Sequence, residues 1–219
     1  MKGKTVMYKD CLKKIIDLLF GFLIFIFLIP ILIFLSLFIF FSMGNPIFFK
    51  QERIGKNNKP FIMYKFRTMR EPKDGENRLL SDADRVTKVG AFLRKTSLDE
   101  LPEIINVIKG EMSLVGPRPL LDLHLELFSE EQLKRHDVKP GMTGLAQVMG
   151  RQSLSFTQRT DLDVKYVENL SLWLDIKIII KTILVVLGAD GIKTGQKFEE
   201  VDDVGLKDLI EKKQKESEK

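Results

Sequence analysis

Residues 18–41, LLFGFLIFIFLIPILIFLSLFIFF, run for 24 positions without a charge. That exceeds the ~20 apolar residues a helix needs to cross a bilayer core of ~30 Å. Whatever follows must therefore be placed relative to a lipid surface. The run is too long for the apolar centre of a signal peptide, and no A-x-A-like cleavage site follows it. Two features complicate a simple span. Pro30 lies near the middle and removes a backbone donor, so a kink or break is expected there, leaving arms of only ~18 Å on either side. The flanks are also both basic. Lys2, Lys4, Lys9, Lys13 and Lys14 stand against Asp10 and Asp17 before the run; Lys50, Arg53, Lys56, Lys59, Lys65, Arg67 and Arg70 stand against Glu52 alone after it. Positive flanks belong on the cytoplasmic side. A helix that enters, breaks at Pro30 and returns keeps both flanks there, whereas a proline-kinked span exports one. Freed carbonyls near Ile26 would need a partner, and Ser36 lies too far along to supply it.

Beyond this run the 219 residues leave room for one compact domain, and the net charge of +5 favours phosphorylated or lipid partners. No helix-turn-helix, zinc or RNA-binding pattern accompanies that charge, so no nucleic-acid partner is expected. The single cysteine, Cys11, excludes an intramolecular disulfide, and with only His124 and His136 beside it a zinc site lacks ligands. Both histidines fall in a polar helical stretch and read as surface or structural residues. Asp, Glu, Ser, Lys or Tyr must carry any chemistry.

Residues 47–53 and 61–67 are short apolar-basic runs around IGKNNKP, the pattern of a β-hairpin. Helices are expected over 88–96, 101–109 and 120–137, and KPGMTGLAQVMGR (139–151) reads as a loop with little regular structure. Residues 170–187 are apolar but carry Asp175, Lys177 and Lys181, too many charges for a span. They fit either a helix lying in the membrane interface with Trp173 at headgroup level, or a buried core helix with snorkelling lysines. The tail after Gly195 is highly charged, with an amphipathic piece near 204–210.

The chemistry turns on TSLDELPEIINVIKGEMSLVGPRP, residues 96–119. Ser97-x-x-Glu100 has the form of a capping box. Pro102 would then sit where a backbone donor is wanted, whereas with Asp99 as the cap it needs none, so a helix start at Asp99 is expected. Both carboxylates of Asp99-Glu100 then crowd a first turn that also suits anions, and capping is the simpler reading of the pair by itself. Lys65, Arg67, Arg94, Arg118 and Arg151 lie in turns or short elements, and Arg118 is fixed between two prolines. Arginine is the preferred phosphate partner, though a solvated basic surface has the same composition. A competing metal motif, Asp-x-Asp, occurs at Asp82/Asp84 and again at Asp161/Asp163.

Taken together, the proline-interrupted apolar segment, YKFRTM (64–69), LRKTSLDELPEIINVIKGEMSLVGPRPL (93–120), HDVKPGMTGLAQVMGR (136–151) and LDIKI (174–178) resemble the bacterial sugar transferases, specifically the small monotopic phosphoglycosyl transferases. The likeness covers roughly residues 8–190. It implies transfer of a phosphosugar from a UDP-sugar to polyprenol phosphate with release of UMP, using Mg²⁺. It implies Asp99 as a covalent nucleophile and Glu100 as the metal ligand. Lys65, Arg94, Arg118 and Arg151 would hold phosphates or brace the site, with Asp163 and Asp175 as polar contributors. It further implies a re-entrant N-terminal helix and a catalytic domain on the cytoplasmic leaflet. Ile29 stands where related chains often carry a small polar residue before the central proline.

The expectation is an α-rich α+β protein. A re-entrant membrane helix occupies 1–45, and a catalytic domain of a small hairpin with amphipathic interface helices occupies 46–195. A charged tail fills 196–219. A metal-dependent glycosyltransferase using Asp82 and Asp84, or a lipid-binding scaffold without activity, are the competing expectations. Neither the sugar nor the oligomeric state is readable.

Overall fold

A computed structural model of the chain describes residues 8–70, 85–150, 153–186, 188, 202–205 and 209. The apolar run forms helix α1, Lys13–Met43, entered through a wider turn at Tyr8–Leu12. At 31 residues it is ~46 Å long. The expected break at Pro30 is absent: the helix continues through it. A proline's φ is itself helical, so it costs one hydrogen bond and a local clash without ending the helix when packing holds both sides.

That packing is present. Helix α1 touches three successive apolar clusters along its length. Ile16 packs with Tyr8, Val115, Val138, Tyr166, Leu170 and Ile178. Phe25 and Leu28 pack with Phe61, Met63, Ile104, Val107 and Met112. Leu32, Leu35, Ile39 and Met43 pack with Phe66 and Leu93. From Phe25 to Met43 the spacing of three and four is that of a single helix face, with Ile16 off that stripe. Gly21 lies where α1 comes closest, since an added Cβ would sit 2.9 Å from a Val107 methyl. The opposite face is bare. Phe20, Phe27, Phe34 and Phe41, seven residues apart, are 50, 78, 67 and 81 % exposed. A soluble protein does not leave such a strip in water.

The hairpin is as expected: β1, Phe48–Ile54, pairs antiparallel with β2, Pro60–Phe66, around a turn with Asn57 and Asn58 at positive φ. Helix α2, Lys88–Thr96, starts where Thr87 Oγ1 accepts from Gly90 N at 2.9 Å. Ser97 then takes a left-handed conformation, φ 56°, that ends α2. A 3₁₀ turn, Leu98–Glu103, follows and leads into α3, Ile104–Ile108. The helix start expected at Asp99 is thus corrected: Pro102 is absorbed in a 3₁₀ turn, and neither Ser97 nor Asp99 caps a helix.

Two further expectations change. Residues 139–150 are ordered: β4, Gly141–Thr143, pairs parallel with β3, Ser113–Val115, and α5, Leu145–Met149, follows. These backbones touch, for a Cβ on Gly141 would lie 2.0 Å from Gly116 N. The glycines that suggest a loop instead permit close contact between two backbone segments. Residues 120–137 are not one helix but two 3₁₀ turns, Asp122–Leu127 and Lys134–Asp137, around α4, Glu130–Leu133. Extended Phe128 and a fresh capping box at Ser129/Gln132 divide them. His124 and His136 are buried rather than on the surface. His124 stacks on Phe156 and His136 meets Phe128 edge-on.

Helix α6, Phe156–Glu168, opens with a capping box at Ser155/Gln158. Helix α7, Leu172–Val186, buries Asp175, Ile178 and Val185 and exposes Trp173, Ile176, Ile179, Ile180, Ile183 and Leu184. Its apolar exposed face fits the interfacial reading over a fully buried helix.

Candidate active site

The 3₁₀ turn decides how the acidic pair is used. With three residues per turn, side chains at i and i+3 eclipse, so Glu100 and Glu103 share a face and Asp99 points ~120° away. The shared face meets Lys65 of β2, whose Nζ lies 2.7 Å from Glu100 Oε1 and 3.3 Å from Glu103 Oε1. Arg118 closes on Glu100 from the other side, Nη2 against Oε1 and Nη1 3.4 Å from Oε2. Burial raises the Glu100 carboxyl, but Arg118 and then Lys65 outweigh it and hold it down at about 2. Asp99 differs. Its carboxylate accepts no hydrogen bond from another side chain among the described residues, and burial followed by the Glu100 charge raises it above the ordinary Asp range. One acid is clamped and ionised; its neighbour is desolvated and free.

Other expected residues fall into three groups. Arg94 is exposed on α2, donates from Nε to Thr68 Oγ1 at 3.0 Å, and is near enough to lower Asp99. Asp163 is buried and takes Nε and Nη2 of Arg135 at 3.1 and 2.7 Å. Arg135 Nη2 also donates to the Arg118 carbonyl at 2.7 Å, so Asp163 reaches the site only by bracing the Pro-Arg-Pro turn. Asp175 is not brought to Glu100. It is the hub of a separate buried network, accepting Tyr8 Oη at 2.7 Å, Lys13 Nζ at 2.6 Å and Tyr166 Oη at 2.7 Å. It ties the start of α1 to α7. Arg151, Asp82 and Asp84 lie outside the described residues. Asp161 is exposed while Asp163 is buried, because residues two apart on a helix do not face one another, so this Asp-x-Asp makes no joint ligand pair.

Two residues of the site are new. Glu103 is 1 % exposed, and burial with the Glu100 charge pushes it up to about 7. Its signal was available as an acid three residues after Glu100, had a 3₁₀ turn been foreseen. Arg135 is the other; nothing local distinguishes it from its charged neighbours. Arg67 has a structural task. Its guanidinium donates to the Met43, Gly44 and Asn45 carbonyls, the last two at 2.7 and 3.0 Å, and so closes the C-terminus of α1.

The raised Glu103 pKa has a testable sign. Folding favours the protonated form, so this stability contribution is full below an ordinary 4.5 and is lost as pH rises through about 7. Glu103→Gln mimics the protonated acid. Its melting temperature in detergent should decline less than that of the wild type between pH 5 and 8.

Residues 8–189 match the bacterial sugar transferase family. The sugar transferase EpsL of Bacillus subtilis (strain 168) is 51 % identical over 152 residues, which are 69 % of this chain and 75 % of that protein. The UDP-glucose:undecaprenyl-phosphate glucose-1-phosphate transferase of Escherichia coli (strain K12) is 40 % identical over 78 % of this chain. The undecaprenyl-phosphate galactose phosphotransferase of Salmonella typhimurium (strain LT2) is 39 % identical over 82 % of it. This chain spans only 39 and 41 % of the length of the latter two. The match takes in α1, the Lys65–Glu100–Arg118 cluster, the bracing Arg135–Asp163 pair and α7 alike, and the chain belongs to the bacterial sugar transferase family.

Proposed function

We propose that this protein moves a phosphosugar from a UDP-sugar to a polyprenol phosphate, such as undecaprenyl phosphate, through an aspartyl intermediate. The observation that carries the reading is the division between the adjacent acids, with Glu100 clamped by Lys65 and Arg118 and Asp99 unclamped and desolvated. A carboxylate free of ion pairing is available as a nucleophile, and the cations beside it screen the phosphate it attacks. An Asp99 oxygen attacks the β-phosphorus, the bond from that phosphorus to the bridging oxygen breaks, and UMP departs. An oxygen of the lipid phosphate then attacks the same phosphorus and releases the Asp99 carboxylate, leaving a polyprenyl-diphosphate sugar. No proton need be moved in either step. Arg118, stiffened by its prolines and held by Arg135, stabilises the charge on the transferring group.

The residues fit Mg²⁺ held by one carboxylate and the ligand's own phosphate oxygens. Glu100 Oε2 has only a long contact to Arg118, and no cluster of three His, Cys, Asp or Glu occurs among the described residues to make an all-protein cage. When bound there, Mg²⁺ would neutralise diphosphate charge. The alternative use of Asp82 and Asp84 releases UDP, so the nucleotide product separates the two: UMP is expected, and UDP would overturn the reading.

The domain sits on one leaflet, the cytoplasmic one, and the unbroken α1 lies along the domain so that both its ends stay on that side. Support comes from the ends themselves: Lys13 and Asp17 bond to α7 and β3, and Arg67 holds the Met43 end. In a Cys11→Ser background, single cysteines at Thr5 and Gly75 should both resist labelling from outside intact cells. Labelling of one alone would mean a span.

A further inference from the structure

Arg53 has no part in the chemistry above. Cross-strand partners share a face of a hairpin, and Arg53 pairs with Phe61, Gln51 with Met63, and Phe49 with Lys65. Arg53 and Lys65 therefore project from the same side, the side whose Phe61 and Met63 pack on Ile104 and Val107 of α3. Lys65 finds Glu100 and Glu103 there. Arg53 forms no ion pair among the described residues. One Nη donates to Gln51 Oε1 at 2.6 Å, and its Nε is buried with no acceptor. The end of β1 is clipped to the exit of the Pro-Arg-Pro turn, Ile54 N donating to Leu120 O at 2.9 Å, which brings Arg53 beside Arg118. Burial, then the like charge of Arg118, lowers Arg53 to about 10, with Glu103 opposing.

Two guanidiniums in one place repel, and a buried N–H without an acceptor is costly. Packing explains neither, since a hydrogen bond to the Gln51 amide oxygen would not require a charge. An anion between them turns the repulsion into attraction and satisfies the Nε–H. We propose that Arg53 is a phosphate-binding residue of this site, forming with Arg118 a two-armed seat for a phosphate ester. The proposal rests on the phosphosugar-transfer reading, in which two such esters visit the site: the nucleotide's and the lipid's.

The test uses the full chain in detergent. Binding of UMP and of farnesyl phosphate is measured by calorimetry for the wild type, Arg53→Gln and Arg53→Lys. Arg53→Gln should weaken one ligand by ~10-fold or more, the scale of a lost charge-assisted hydrogen bond, and leave the other within ~2-fold. Loss of UMP assigns the seat to the donor, and loss of farnesyl phosphate to the acceptor. Should Arg53→Gln fail to fold, Arg53→Lys carries the test, because it keeps the charge but lacks the planar fork. A folded variant that binds both ligands as the wild type does overturns the seat. Wild-type protein that releases UDP rather than UMP overturns the reading of function instead, whatever Arg53 does.

Discussion

Asp99→Asn should abolish turnover, by at least ~10³-fold, and should abolish the covalent adduct with it. Incubated with UDP-sugar and Mg²⁺ but no lipid phosphate, the wild type should gain the mass of a phosphosugar, and the variant should not. An active wild type without that mass increase would remove the aspartyl step. The fold should not suffer. Asp99 accepts no side-chain hydrogen bond among the described residues, and burial disfavours its charge, so a neutral amide relieves a cost. The variant should melt no lower than the wild type, the trade of stability for activity that functional groups often show. Glu100→Gln should behave oppositely in the melt, because it leaves Lys65 and Arg118 without their counter-charge.

Asp175→Ala should be the most destabilising change outside the site. It strands the Lys13 ammonium, whose side chain is 8 % exposed, with only Asp17 at 3.8 Å, leaves Tyr8 without its acceptor, and leaves Tyr166 with the Val115 carbonyl alone at 3.0 Å. Removing one partner of a buried pair costs ~3–5 kcal/mol, a large part of the ~5–15 kcal/mol that holds a domain together. Urea unfolding in detergent measures it. The double variant Lys13→Met, Asp175→Leu should recover much of the loss, since an apolar pair needs no compensation. If its activity also returns, Asp175 is a strut. If stability returns without activity, Asp175 touches substrate after all.

Legibility followed the range of the interaction. The hairpin was readable because its turn residues and alternation are local, and α2 because its cap and its stop lie within ten residues. Three features depend on contacts that no local pattern carries. Pro30 signals a break locally, but three apolar clusters from distant sequence hold the helix through it. Gly141 and Gly144 signal a loop locally, yet their lack of a side chain admits Gly116 from 25 and 28 residues away in sequence. Asp163 and Asp175 were grouped with the site on resemblance alone. Their partners, Arg135 in one case and Tyr8, Lys13 and Tyr166 in the other, are set by tertiary contact. The acidic pair shows the limit in reverse. Its residues were evident, but the 3₁₀ geometry that sends them to different neighbours was not.

The packing that fastens α1 along its length to all three apolar clusters fixes more than topology. A helix tethered at one end can tilt to suit the lipid around it, while its domain stays put. Here the bare phenylalanine edge and the acidic 3₁₀ turn belong to one packed body, so that edge works as a keel. The waterline at which Asp99 floats is set by how deeply the keel settles, and a bilayer of another thickness would list the whole molecule rather than bend it.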